Sequence, residues 1–318
     1  MFKKTVAALA AAFLVGCGGE TRDDQLTVGF SQIGSESGWR AAETKMARLA
    51  AEERGVDLRI SDAQQRQENQ IKAIRAFIAQ GVDAILLAPV VATGWDGVLR
   101  EARSADIPVV LLDRQIETSD EDLYLSAVTS DQVLEGNMAG KWLVEQAKGR
   151  DCPVVEIQGT VGSSPAIKRK EGFDEAIAEA PNVRIERSQS GDFTRAKAKE
   201  VMESAIKALA GTPICAVYAH NDDMMIGAIQ AMKEAGLKPG KQVLTVSIDG
   251  VPDIFRAMME GDANATVELT PEMAAPALDL LIDYKRNGKV PPNWVQTPTR
   301  LYTAETAAAE YERRKDLY

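Results

Sequence analysis

The chain has 318 residues, 45% hydrophobic and 26% charged, with a formal net charge of −10 at pH 7. That length and composition suit a globular protein of about two domains, each with its own core. The acidic excess excludes phosphate backbones and anionic lipid surfaces as natural partners, because both would be repelled, so no nucleic-acid role is expected. The short basic runs Lys168-Arg169-Lys170 and Arg313-Arg314-Lys315 stand among acids and do not change this.

The first segment reads as an address. Lys3 and Lys4 precede an apolar run, Val6–Val15, that is too short to span a bilayer and suits a secretory signal. It ends Leu14-Val15-Gly16-Cys17, which resembles the bacterial lipobox, where the cysteine is acylated. Cys17 is therefore expected to carry lipid, with Gly18–Asp24 as a polar tether; a plain signal peptide with a chance cysteine is the other reading. Residues 1–24 are thus signal and tether. The protein is expected at the periplasmic or extracytoplasmic face, anchored to a membrane by that lipid. Export places Cys152 and Cys215 in an oxidising compartment, where an even pair is more often bridged than free.

Apolar, β-branched runs then alternate with helix-period segments. The strands predicted are Leu26–Ser31, Asp57–Asp62, Ala84–Ala88 and Val109–Asp113, then Val154–Gly159, Arg184–Gln189, Cys215–Ala219, Leu244–Asp249 and Ala265–Glu268. The helices are Trp39–Arg54, Glu68–Gln80, Trp95–Ala105, Gln132–Lys148, Ala166–Ala180, Ala196–Leu209, Met224–Ala235 and Met273–Asn287. Strands that are apolar throughout must be covered on both faces, so the class is α/β with parallel, doubly wound sheets. The units fall into two runs, one ending at Asp113 and one beginning at Val154; one continuous large sheet would fit, but two similar lobes explain the size better. In such a lobe the first and third strands are neighbours. Cys152 and Cys215 each precede one of them, so a disulfide between the two is expected.

Polar groups gather where strands stop: Ser31-Gln32, Asp62, Asp113-Arg114, Gln158, Ser190, His220-Asn221 and Asp249. Ligands of open α/β sheets bind at the carboxyl ends of the strands, so two lobes facing each other would make one cleft. Enzymatic readings find little support. With His220 the only histidine, no multi-histidine metal site can form, and neither a nucleophile elbow nor a Walker loop is present. His220-Asn221-Asp222-Asp223 reads as a strand end followed by a helix cap, with Asp222 capping. Gly159–Ser164 reads as a tight turn more simply than as a phosphate cradle.

Binding has better material. Trp39, in Gly34-Ser35-Glu36-Ser37-Gly38-Trp39-Arg40, would offer a ring to the C–H face of a sugar, unless it only packs its helix. Asp113-Arg114 would pair ring hydroxyls, or would be a structural ion pair. Phe193, on an exposed loop, would cover the other sugar face, and Arg169 lies within reach of either cleft or solvent.

In this order these residues resemble the periplasmic pentose- and hexose-binding proteins of bacterial ABC importers, the ribose-binding group. The likeness runs from Leu26 to about Leu301. It is carried by Leu111-Leu112-Asp113-Arg114, Glu156-Ile157-Gln158-Gly159, His220-Asn221-Asp222-Asp223-Met224 and Ile248-Asp249-Gly250-Val251-Pro252-Asp253. Gly29-Phe30-Ser31-Gln32 through Arg40, Ala88–Trp95 and Arg187–Phe193 look like segments of that group's galactofuranose binders. The resemblance implies two Rossmann-like lobes joined by three crossings, near Ser126–Ser130, Val267–Thr270 and Val295–Arg300, the type I periplasmic binding protein fold. It divides the chain into an N-terminal lobe of residues 25–127 plus 269–296 and a C-terminal lobe of residues 128–268 plus 297–318.

It also implies that Trp39, Asp113, Arg114, Arg169, Phe193, Asn221 and Asp249 contact a monosaccharide. Glu36 and Arg40 replace apolar or aromatic residues of the ribose binders, which fits a ligand with a more polar end, such as the exocyclic diol of galactofuranose. Either Glu268 or Leu269 faces the ligand. The implied partners are an ABC permease and its ATPase, with no cofactor, no metal and a monomeric protein that catalyses nothing. Two other readings are a sensor that presents sugar to a membrane receptor and, more remotely, a glycosidase using Asp113 and Asp249. A sugar-responsive repressor shares the fold, but it would carry a DNA-binding helix pair where this chain has a signal.

Overall fold

A computed structural model describes residues 25–318. The expectations for the signal, the lipobox and Cys17 lie outside the described residues. In chain order the first elements are β1 (Thr27–Gln32), α1 (Gly38–Glu53), β2 (Asp57–Asp62), α2 (Gln67–Gln80), β3 (Ala84–Leu87), α3 (Asp96–Ser104), β4 (Val109–Leu112) and β5 (Ser126–Thr129). They are followed by α4 (Gln132–Ala147), β6 (Cys152–Gln158), α5 (Ser164–Ile177), β7 (Val183–Ser190), α6 (Arg195–Ala208), β8 (Ala216–Ala219), α7 (Asp222–Glu234), β9 (Leu244–Asp249), α8 (Pro252–Glu260) and β10 (Ala265–Glu268). The chain closes with α9 (Ala274–Asn287), β11 (Trp294–Gln296), β12 (Leu301–Thr303) and α10 (Ala307–Arg314).

Two six-stranded sheets result, ordered β11-β5-β4-β3-β1-β2 and β12-β10-β9-β8-β6-β7. All pairings are parallel except β10 with β12. The central strands β3, β4, β8 and β10 are buried at every position, because helices cover both faces. The chain passes between sheets three times: after β5, after β10, and between β11 and β12.

The nine predicted strands and eight predicted helices are all present, with ends displaced by up to three residues. Five elements escape the periodicity. These are β5, β11 and β12, of three or four residues, and α8 and α10, of nine and eight. The Asp222 cap is a correction. Asn221 caps α7, its side chain accepting from Met224 N, whereas Asp222 turns inward. The Asp222 carboxylate takes Ser247 Oγ at 2.5 Å, Thr266 Oγ1 at 2.7 Å, Gly250 N at 2.7 Å and Val251 N at 2.9 Å. Four donors in a buried place outweigh the single amide that a cap would satisfy.

Cys152 opens β6 and Cys215 directly precedes β8, its parallel neighbour through Val154 and Ala216. The two cysteines are bonded, with Cα atoms 4.8 Å apart and a sequence separation of 63. In the chain-entropy model such a loop is worth ~4 kcal/mol. Cys152→Ser with Cys215→Ser is therefore expected to lower the unfolding free energy by roughly that amount in urea melts. Free thiols in the unreduced, denatured wild type would count against the bridge.

Candidate functional site

The carboxyl ends of both sheets meet across one small, narrow cavity. It is lined by Glu36, Ser37, Trp39, Arg40, Asp113, Arg114, Pro165, Arg169, Phe193, Asn221, Asp249 and Leu269. The nine residues singled out from the sequence are thus all brought to one place. Glu36 to Arg40 follow β1 and enter α1, Asp113 and Arg114 leave β4, and Asp249 ends β9. Arg169 projects from the second turn of α5, Phe193 sits between β7 and α6, and Asn221 follows β8. Of the last pair, Leu269 lines the cavity, while Glu268 pairs with Arg314 at 3.1 Å.

Phe193 is buried, not exposed on its loop as the sequence suggested. Its ring lies against Gly159, where a Cβ would fall 1.9 Å from Phe193 Cζ, so the Gly-rich turn after β6 is a seat for this ring. The Arg114 guanidinium sits over the ring, 5.1 Å from its centroid. Trp39 is buried as well; its Nε1 donates to Leu269 O at 2.9 Å, and Arg40 lies 4.8 Å over the indole. Trp39 therefore both lines the cavity and packs its helix.

Arg40 is the electrostatic hub. Its guanidinium meets Glu36 Oε1 at 3.2 Å, Glu43 Oε2 at 2.5 Å and Asp113 Oδ2 at 2.6 Å. Burial works against its charge, but Glu43, Asp113 and Glu36 outweigh burial and hold its pKa well above the ordinary value. Burial in turn pushes the Glu43 carboxyl up, against the pull of Arg40. Glu43 takes a further bond from Gln32 Nε2 at 2.9 Å; neither residue was foreseen as part of the site, although Gln32 stood in a strand-end cluster.

Arg114 differs from Arg40. Its contact with Asp113 is loose at 3.7 Å, and its firmest bond goes to Val90 O at 2.9 Å. Burial first, and then the positive charge of Arg40, bring its pKa down to about 10. Arg169 Nε donates to Glu135 Oε2 at 2.7 Å and its Nη1 to His220 O at 2.6 Å, which settles its direction as inward. Burial holds the Asp249 carboxyl well above the usual range, with Arg169 opposing. Two atoms at the cavity, Glu36 Oε2 and Arg114 Nε, are buried without a protein partner. An acceptor and a donor left free at the same wall suit a ligand carrying hydroxyls.

The cleft is shut by bonds across its rim. Gly38 N donates to Asp223 Oδ2 at 2.9 Å, Ala92 N to Gly162 O at 2.8 Å and Gln115 N to Ser164 Oγ at 2.9 Å. Among the described residues no cluster of His, Cys, Asp or Glu is arranged to hold a metal ion. No described helix is long and apolar enough to cross a membrane.

Removing the hub leaves three carboxyl groups facing one another. Arg40→Met is expected to cost about 3 kcal/mol at pH 7, the scale for breaking a buried ion pair. The deficit should shrink as the pH falls toward 5, because the stranded carboxyls then take up protons. Urea melts at both pH values test this, and a deficit independent of pH would contradict it.

Residues 28–289 match the model of the periplasmic binding protein domain. The chain is 64% identical over 293 residues to the galactofuranose-binding protein YtfQ of Escherichia coli K12, covering 92% of each chain. A crystal structure of a galactofuranose-binding protein superposes with a TM-score of 0.91 at 64% identity, over 92% of this chain and 99% of that one. The periplasmic component of the arabinose ABC transporter from Shewanella sp. ANA-3, bound to α- and β-L-arabinofuranose, gives 0.89 at 55% identity, over 91% and 96%. With two doubly wound lobes, three crossings and a polar cleft between the sheet ends, the chain belongs to the periplasmic binding protein family.

Proposed function

We propose that this protein captures a single furanose sugar, galactofuranose, outside the cytoplasm and hands it to an ABC permease. The observation that carries the reading is the lining of the cavity: guanidinium and carboxyl groups gathered from both sheets, with Trp39 and Phe193 as aromatic walls. Planar charged groups pair sugar hydroxyls in twos, and aromatic faces take the C–H surface. One relative is a galactofuranose-binding protein and another was solved with arabinofuranose, both five-membered rings. In this reading Trp39, Asp113, Arg114, Arg169, Phe193, Asn221 and Asp249 touch the ring, while Glu36 and Arg40 meet the exocyclic end. The lobes, residues 25–127 with 269–296 and 128–268 with 297–318, close about the three crossings as the ligand binds. Cys17 carries the lipid that holds the protein at the membrane.

The reading includes no turnover. Asp113 is held by Arg40 at 2.6 Å as part of the ion-paired wall of the cavity. A galactofuranoside incubated with the protein should stay intact.

Ring size supplies the discriminating test. Isomeric rings aim their hydroxyls differently, and each buried group left unpaired costs about 1–3 kcal/mol. Calorimetry should therefore show galactofuranose binding at least tenfold more tightly than galactopyranose. Asp113→Ala should abolish most of the affinity, and Trp39→Ala should weaken both sugars with little change in preference. Equal affinity of the wild type for both rings would overturn the assignment.

A further inference from the structure

We infer that Arg314 is a positioning residue of the binding cleft: from the C-terminal helix, without lining the cavity, it fixes the backbone that carries Asp249 and Leu269. In sequence it sits inside a basic run, Arg313-Arg314-Lys315, that reads as a solvated surface. Its neighbours fit that reading, with side chains 50% and 41% exposed, whereas Arg314 is 1% exposed.

Its guanidinium reaches from α10 to the ends of two neighbouring strands. Nε donates to Gly250 O at 2.8 Å, and Nη2 to both Asp249 O and Leu269 O at 3.0 Å. Nη1 is held by Glu268 Oε1 at 3.1 Å, which orients the fork. Asp249 pairs with Glu268 in the β9–β10 register, so one side chain ties both strand ends together where they meet the cavity. The tie bears on an unusual backbone, because Asp249 has φ 131° and Gly250 has φ 77°. Conformations of that kind persist only where the surroundings over-determine them. Here the amides of Gly250 and Val251 are held by the Asp222 carboxylate on one side, and the carbonyls of Asp249 and Gly250 by Arg314 on the other.

The consequence passes into the cavity twice. Directly, it fixes the Asp249 side chain. Indirectly, the carbonyl of Leu269 that takes Arg314 Nη2 also takes Trp39 Nε1 at 2.9 Å, so the indole from the other sheet's first helix docks on a group that Arg314 holds still. A lysine could not replace it, since a point charge cannot reach several divergent acceptors as a planar fork does.

The test compares Arg314→Met, Arg314→Lys and a destabilised control, Met232→Ala. Met232 is a buried core residue late in α7, a helix that begins at the cleft and runs away from it. All three are measured well below their melting temperatures, so that each is fully folded. The affinity readout rests on the galactofuranose reading. A second readout does not: hydrogen exchange at the Gly250 and Val251 amides without sugar. Arg314→Met is expected to weaken galactofuranose at least tenfold and to speed those amides, with Arg314→Lys in between and Met232→Ala within twofold of wild type. The inference is overturned if Arg314→Met exchanges and binds like wild type, or if Met232→Ala loses as much affinity. Should Arg314→Met fail to fold, Arg314→Lys decides alone, and wild-type behaviour there overturns it. A wild type that binds no furanose refutes the functional reading and leaves the exchange comparison standing.

Discussion

Arg40 has to stay charged in a place that water does not reach, and most of the cleft is organised around that requirement. Desolvating a guanidinium costs several kcal/mol, and the cost is repaid only when partners sit in good geometry at short range. Glu36, Glu43 and Asp113 supply those partners, but they are themselves buried carboxyls that need a cation. The cluster is therefore mutually dependent. Glu43 comes from the same helix, one turn on, while Asp113 comes from the end of β4, so the ion pairs also fix how α1 sits against that strand. With Asp113 held by Arg40, Arg114 is left with carbonyls and, at Nε, a loose carboxylate contact too long for a hydrogen bond. The firm pair builds the wall, and the loosely paired arginine beside it keeps donors to spare.

The second requirement is positional, and it is met by backbone more than by side chains. Three cavity residues, Asp113, Phe193 and Asp249, have positive φ, at 61°, 61° and 131°. Left-handed geometry costs a non-glycine residue of order 1 kcal/mol or more, so each needs an external hold. Gln132 Nε2 grips the carbonyl of Asp113 at 2.8 Å, Gly159 gives Phe193 its seat, and two opposed charged groups grip the segment after Asp249. Arg169 is placed differently. A Cβ at Gly136 would lie 2.0 Å from Arg169 O, and one at Gly172 would lie 1.9 Å from Val133 O. Helices α4 and α5 thus touch backbone to backbone, which brings Glu135 beside Arg169 and aims the guanidinium at the cavity.

What the sequence shows of this follows from which interactions are local. A strand that is apolar throughout and then stops at a polar group announces both burial and a sheet end, so Asp113-Arg114 and Asp249 could be found without coordinates. Trp39 stood out as an aromatic ring where the first strand opens into its helix, and Arg40 by departing from the residues that the ribose-binding group carries there. Arg314 gave no such sign, since its four acceptors lie 45 to 65 positions away and its immediate neighbours are ordinary surface charges. Asp222 misled for the same reason. Beside Asn221 either residue could cap the helix, and it is distant donors, the Ser247 and Thr266 hydroxyls and the Gly250 and Val251 amides, that draw Asp222 inward. The fold was legible because periodicity is local; the supports of the site were not, because they are bonds between chain segments that are remote in sequence.

The rim bears on how such a cleft can serve capture and release alike. Its bonds run from Gly38 to Asp223, Ala92 to Gly162 and Gln115 to Ser164, with Lys168 to Gln115 and Lys45 to the carbonyls of Asp316 and Tyr318 beside them, each worth about 0.5–1.5 kcal/mol net. Together they favour closure by a few kcal/mol at most, the range in which two states can both be populated. A rim much stronger would keep the cavity shut to incoming sugar, and one much weaker would leave the ligand to supply the whole cost of closure. Inside, the balance is reversed: the ion pairs of Arg40 and Arg169 each lie within one side of the cleft and need not break for it to open. Opening would part the rim bonds and the contact of Arg114 with the Phe193 ring, while the ion pairs of Arg40 and Arg169 travel intact with their own sheets.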